Sequence, residues 1–310
     1  MDALSKIFDD IHLAKSEYIY INAPHPSAFQ YEDEPSMLAY IVLNGTAHLT
    51  LQNEEQILLE QGDLFLIPSG KQHFVYCDEK SDLQQTISIN TFFITQSKQV
   101  IDLNETQSEN KTFILAIRSK LDVQMAKPLL SALPQFLHIK HISDATAPEW
   151  LQIGLQFLAV ETQTSRPGRD KILDHLVSIL FIECVRDYIL SLDQHANWLG
   201  ALTHPELSNA LTAIHGQPEQ NWTVESLAEQ CHMSRSKFAQ LFNQIVGDSP
   251  LAYLQQHRLR LAAQYLRDTG LSVQQIAHSV GYNSETAFSQ IFKKQFGLTP
   301  SIYRKQAQII

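Results

Sequence analysis

The sequence predicts an α+β chain: a β-barrel with trailing helices in front, then an all-α region carrying two helix-turn-helix units. Three observations lead there. Short apolar runs separated by turn residues recur through residues 17–123, the spacing of a small barrel or sandwich. A second pattern repeats at a period of 50 residues near the C-terminus, and self-similarity of that kind marks duplicated supersecondary units. The charge balance also changes sign between the two regions. A length of 310 residues fits about two domains at roughly 150 residues each, here 1–200 and 205–310.

The front strands are expected at 38–43, 47–51, 56–59, 64–67, 73–76 and 113–117. Asn44-Gly45 reads as a hairpin turn, and the polar stretch 95–111 reads as an added loop. Two long helices follow at 147–164 and 169–192. Leu151, Leu155 and Leu158 line the first; Leu173, Leu176, Leu180, Val185 and Ile189 line the second. Cys77, Cys184 and Cys231 are odd in number and far apart, so they form neither a disulfide framework nor a zinc spacing. The N-terminus carries the acidic pair Asp9-Asp10 rather than a basic leader region. No apolar run reaches the roughly 20 residues of a membrane span. These features predict a cytoplasmic protein.

In the repeat, Ser234, Phe238, Phe242, Gly247, Pro250 and Tyr253 return as Ser284, Phe288, Phe292, Gly297, Pro300 and Tyr303. Upstream, Val224, Leu227 and Ala228 match Val273, Ile276 and Ala277 at a spacing of 49. Each copy reads as helix, turn, helix. Thr223 and Ser272 are placed to cap the first helices, and Ser234 and Ser284 the second. Gly247 and Gly297 stand where a residue free to take positive φ ends a helix. Cys231-His232-Met233 and Gly281 make the inner turns. Between the copies, Ser249-Pro250 opens a joining helix, with proline at its tolerated first position, that runs to about Asp268.

The net charge of −10 argues against nucleic acid only if read globally. Residues 205–310 hold 9 Lys/Arg and 7 Asp/Glu, a net of +2. The remaining 204 residues hold 14 and 26, a net of −12. An acidic front and a mildly basic back suggest two jobs.

The back region resembles the DNA-binding domain of AraC-type transcription regulators. The motifs are Arg260-Leu261-Ala262-Ala263, Ile276-Ala277, Val280-Gly281-Tyr282, Phe288, Phe292-Lys293, Phe296-Gly297, Pro300 and Tyr303-Arg304. The resemblance implies that helices near 235–246 and 285–296 enter the major groove of double-stranded DNA. It places Ser236, Ala239 and Gln240 of the first, and Glu285, Thr286, Ser289 and Gln290 of the second, against bases. Arg235, Lys237, Lys293, Lys294 and Arg304 would hold phosphates.

Gly62, Pro68, Gly70 and His73 form a pattern that resembles the second motif of cupin barrels. The earlier cupin motif, with its metal-binding histidines and glutamate, has no match in 37–43. No metal, cofactor or catalytic group is therefore expected. Tyr40, His48 and His73 are the residues expected to meet a small-molecule effector. Lys127-Pro128-Leu129-Leu130-Ser131-Ala132-Leu133-Pro134, Arg166-Pro167-Gly168 and Trp198-Leu199 resemble one cupin-bearing branch of the same regulators. Many members of that branch carry Cys-Gly where this chain has Ala116-Ile117. The resemblance implies a regulator rather than an enzyme, paired as a homodimer through the two long helices, with RNA polymerase as a further partner left open. Two other readings stay open: a redox or electrophile sensor using Cys77 or Cys231, and a metal-dependent cupin enzyme.

Overall fold

The computed structural model describes residues 2–11, 14–51, 56–78, 86–95, 100–103, 108–140, 149–163, 167–192 and 198–307. Arg166 of the branch motif lies outside them. The chain packs as two compact units that are not contiguous in sequence. One comprises Leu13–Val123 and Leu133–Tyr188; the other gathers Met1–His12, Gln124–Ala132 and Ile189–Ile310. The boundary expected near residue 200 therefore needs correction: two early segments pack with the C-terminal helices.

The strands run β1 (Ala14–Pro24), β2 (Ala28–Tyr31), β3 (Ser36–Asn44), β4 (Ala47–Leu51), β5 (Ile57–Leu59), β6 (Leu64–Ile67), β7 (His73–Tyr76), β8 (Ile87–Ser88), β9 (Val100–Asp102), β10 (Lys111–Lys120) and β11 (Leu137–Ile139). They form two sheets, ordered β11-β6-β3-β10-β1-β9 and β5-β4-β7-β2-β8. All six strands expected from the apolar runs are present. The alternation in β4 buries Ala47, Leu49 and Leu51. These join Phe29, Tyr31, Tyr40, Phe65 and Phe93 in one core cluster.

Two expectations fail here. Asn44-Gly45 does not close a hairpin, because β3 pairs with β10 and β6 while β4 pairs with β5 and β7. The turn carries the chain from one sheet to the other. The stretch 95–111 is not all loop: Val100–Asp102 adds a parallel strand beside β1.

Arg118, on β10, is fully buried. Its Nε donates to Glu17 at 2.8 Å and its Nη1 to Glu34 at 2.5 Å, while Nη2 also reaches Glu17. Its guanidinium lies 4.6 Å from the centre of the Phe93 ring. A buried charge is tolerable when paired this fully.

The helices are α1 (Ala3–Ile11), α2 (Asn90–Thr95), α3 (Val123–Ala132), α4 (Glu149–Gln163), α5 (Arg169–Ser191), α6 (Trp198–Thr203), α7 (Ser208–Gly216), α8 (Val224–Gln230), α9 (Arg235–Val246), α10 (Pro250–Asp268), α11 (Val273–Ser279), α12 (Glu285–Phe296) and α13 (Pro300–Ala307). Helix α1 buries Ala3, Ile7, Phe8 and Ile11, and Ala3 belongs to the cluster built around Leu207, Leu211, Trp222, Phe238 and Phe242. That burial explains why the first helix leaves the barrel unit. No helix among the described residues is long and apolar enough to cross a membrane.

Candidate nucleic-acid interface

The duplicated units are built by local chemistry that repeats as closely as the sequence does. Thr223 accepts from the Ser226 amide at 3.0 Å and Ser272 from the Gln275 amide at 3.1 Å, each in a reciprocal capping box. Ser234 and Ser284 cap α9 and α12 more simply, each accepting from the amide three residues on, Lys237 and Ala287. Gly247 and Gly297 end those helices at φ 87° and 75°. The inner turns need a left-handed residue, which is His232 (φ 52°) in one copy and Gly281 (φ 86°) in the other. The glycine is obligatory in the second turn, because a Cβ there would stand 2.7 Å from the Glu219 carbonyl and the Arg258 guanidinium.

Ring packing repeats as well. The Phe238 and Phe242 centroids are 5.5 Å apart, and Phe242 meets Tyr253 at 5.8 Å. Their counterparts Phe288 and Phe292 are also 5.5 Å apart, and Phe292 meets Tyr303 at 5.4 Å. Helix α10 has 19 residues, roughly 28 Å at 1.5 Å each. Arg258, which sequence reasoning missed, ties this helix to both neighbours. It donates to the Pro218 carbonyl at 2.6 Å, the Gln220 carbonyl at 2.7 Å and the Gly281 carbonyl at 3.4 Å. The contacts are to backbone atoms, so no residue-type pattern announces them.

With the phenylalanines buried, α9 leaves Arg235, Ser236, Lys237 and Gln240 exposed and Ala239 half-buried. On α12, Glu285, Thr286, Ser289, Gln290 and Lys293 line one open hollow with Thr299. Thus four residues expected to face bases and one expected to hold phosphate share a single surface. The remaining cations divide. Lys293 and Lys294 are exposed in the last turn of α12. Lys237 lies 3.0 Å from Glu206 and Arg235 3.7 Å from Glu225, exposed pairs that cost little to break. Arg304 is a correction: its Nε donates to the Leu266 carbonyl at 3.3 Å and its Nη2 to the Leu271 carbonyl at 2.5 Å. It closes the end of α10, so its guanidinium is committed to the fold.

Known proteins share both regions. A helix-turn-helix domain family matches residues 227–306 and a cupin family matches residues 2–190. The HTH-type transcriptional regulator AlkR of Acinetobacter baylyi is 56% identical over 307 residues, covering 99% of this chain and 100% of the relative. The chain belongs to the AraC-type transcription regulators. The RCS-specific HTH-type transcriptional activator RclR of Escherichia coli is 37% identical over 183 residues, 59% of this chain and 64% of that one. Among solved structures, the DNA-binding domain of AdpA in complex with a target DNA is 32% identical over 31% of this chain and 86% of that one, at a TM-score of 0.30.

In the regulator's barrel, the residues expected to meet an effector are placed differently from one another. His73 and Tyr40 are both buried. The His73 Nε2 is 2.8 Å from the Tyr40 hydroxyl, its Nδ1 is 2.7 Å from the Lys71 carbonyl, and its ring stacks on Tyr31. Burial lowers its pKa to about 4. Both ring nitrogens are spent, so Tyr40 and His73 hold the interior together rather than offer a ready contact. The glycine of the same motif serves the fold too: a Cβ on Gly70 would fall 2.2 Å from the Glu34 carbonyl. His48, also expected to meet the effector, points away from the core side of β4 and stacks on Tyr76 at 5.4 Å.

The thiol-sensing alternative also meets the structure badly. Cys77 and Cys231 are buried. Burial pushes the Cys77 thiol up to about 11 and raises that of Cys231. Such thiols carry almost no thiolate near neutral pH and react slowly.

Proposed function

We propose that this AraC-type regulator reads a specific operator by setting α9 and α12 into successive major grooves of one duplex. The observation that carries this reading is the α12 hollow, where Glu285, Thr286, Ser289 and Gln290 lie beside Lys293. Gln290 and Gln240 have the amide geometry to bond adenine bidentately, and Ala239 is small enough to meet a thymine methyl. Lys293, Lys294, Arg235 and Lys237 supply affinity without sequence information. Helix α10 would set the separation of the two reading helices, against roughly 34 Å between groove faces on one side of B-DNA.

Two variants test it against operator and scrambled DNA over a salt series. Gln290→Ala is expected to cost roughly 1–3 kcal/mol on the operator and nothing on scrambled DNA. Lys293→Ala should weaken both and lower the slope of log affinity against log salt by about 1. Equal losses on both sequences for Gln290→Ala would remove the base-reading role. A small molecule received by the cupin-like unit is the proposed signal. It acts by preferring one of two arrangements of the protein. The same assay, repeated with compounds handled by products of the genes the regulator occupies, tests this part; an unchanged apparent Kd with all of them counts against it.

The regulator works in this reading as a cytoplasmic homodimer. Helix α4 buries Leu151 and Leu158 on one side, yet Ile153, Phe157 and Val160 are exposed on another. Ile172 and Ile179 of α5 are exposed as well. Apolar residues at i, i+4 and i+7 form a stripe suited to a partner helix. Phe157→Glu should convert the dimer to monomer in a sedimentation measurement; an unchanged mass would place the dimer contact elsewhere.

A further inference from the structure

We propose that Asp10, His215 and His257 form a binding site for one divalent transition-metal ion of the zinc, cobalt or nickel class. The three side chains come from α1, α7 and α10 and belong to one packed unit. Their ligand atoms all lie within 4.8 Å of one another, and the residues are 6%, 4% and 1% exposed. The two imidazole centroids are 4.3 Å apart.

The decisive observation is that Nδ1 of His215 and Nε2 of His257 are buried without a hydrogen-bond partner among the described residues. A buried polar atom left unpaired loses its hydration for nothing in return, so two such atoms on neighbouring rings of one cluster call for a ligand. A small cavity of about 20 Å³ lies there, lined by Asp10, His215, Tyr253, His257 and Arg260 among others. That is room for one ion or one water.

The surroundings suit a metal ligand set. The His215 Nε2 is held by the Tyr253 hydroxyl at 2.8 Å, the kind of outer hydrogen bond that orients a ligating imidazole and fixes its tautomer. Asp10 is anchored at both ends: its Oδ1 is 3.3 Å from the Lys6 ammonium, and its carbonyl accepts from the Gln264 side chain at 2.9 Å. Burial pushes His215 down to about 3 and His257 well below the ordinary imidazole value. Two imidazoles and one carboxylate favour zinc, cobalt or nickel; calcium and magnesium require an oxygen-rich set. Tetrahedral bonds of roughly 2.0–2.2 Å put ligand atoms roughly 3.3–3.6 Å apart, so the cluster must close by about an ångström. The nearby cations Lys6 and Arg260 oppose a bound ion, and Asp10 and Asp248 offset them. Occupancy would pin α1 and α7 to the helix that joins the two reading units.

The test uses the full chain, stripped with a chelator and titrated with Co²⁺ alone. One Co²⁺ per chain is expected, with the visible absorption of a low-symmetry site that Zn²⁺ then abolishes. His257→Gln and Asp10→Asn should each weaken uptake at least about tenfold, the lower end of what losing a mere supporting group costs. Zn²⁺ should raise the thermal midpoint of the wild-type chain and not that of the variants. His278→Gln, at an exposed position of α11, should behave as wild type. A folded wild-type chain without the Co²⁺ band, its cavity holding only water, overturns the proposal whether or not any variant folds. Folded variants that keep the band at full intensity overturn it equally.

Discussion

Arg118→Met is expected to cost the barrel unit about 3–5 kcal/mol, the usual effect of breaking a buried ion pair by removing one partner. The guanidinium is wholly enclosed and bonded to Glu17 and Glu34. Methionine fills much of its volume but supplies no donor. Glu17 and Glu34 retain 16% and 27% exposure, so water reaches them in part and the penalty falls toward the lower end of that range. Amide exchange along β1, β3 and β10 measures it, since those three strands are neighbours in one sheet. Protection there should fall by the same free energy while the helices from α7 onward keep theirs. A loss below about 0.5 kcal/mol, the size of an ordinary surface change, would mean that the pair contributes no more than its apolar replacement.

Arg118 also shows where sequence reading stops. An arginine within Ile117-Arg118-Ser119 looks like the outer face of a strand, and its partners lie 84 and 101 residues away. Nothing in the local pattern joins them. The C-terminal units were legible for the opposite reason. Thr223, Ser234, Ser272 and Ser284 cap by contacts three residues along, and Gly247 and Gly297 stop their helices by local geometry. Such rules need no knowledge of the fold.

Arg304 failed because a guanidinium serves a phosphate and a helix carbonyl equally well, and only the placed Leu266 and Leu271 carbonyls decide between them. Asn44-Gly45 correctly marked a turn but could not say which strands it joins. His215 and His257 carried no spacing signal, since their convergence depends on two helices meeting a third from the other end of the chain. Local chemistry was readable, and long-range partnership was not.

Phe292→Ala should be the most damaging single change to DNA recognition among residues that touch no DNA. The ring is fully buried, with centroids of Phe288, Phe296 and Tyr303 at 5.5, 4.5 and 5.4 Å. Truncating a buried phenylalanine costs about 3–5 kcal/mol. The same change at Phe242 has more support around it, because that cluster extends to Ala3, Ala201, Leu207 and Trp222 outside the repeat. Phe292 draws its ring contacts from its own unit. The deficit therefore falls on α12, which carries Gln290 and Lys293. An unfolded α12 must refold on the operator, so affinity is expected to drop by up to roughly 10²–10³-fold, at 1.4 kcal/mol per decade. A nuclease footprint should shrink to the half bound by α9, with exchange quickening in α11 and α12 and unchanged in α8 and α9. If the full footprint survives with both halves equally protected, the two units do not fold as separate reading heads, and the duplication seen in the sequence has no counterpart in how the regulator holds its DNA.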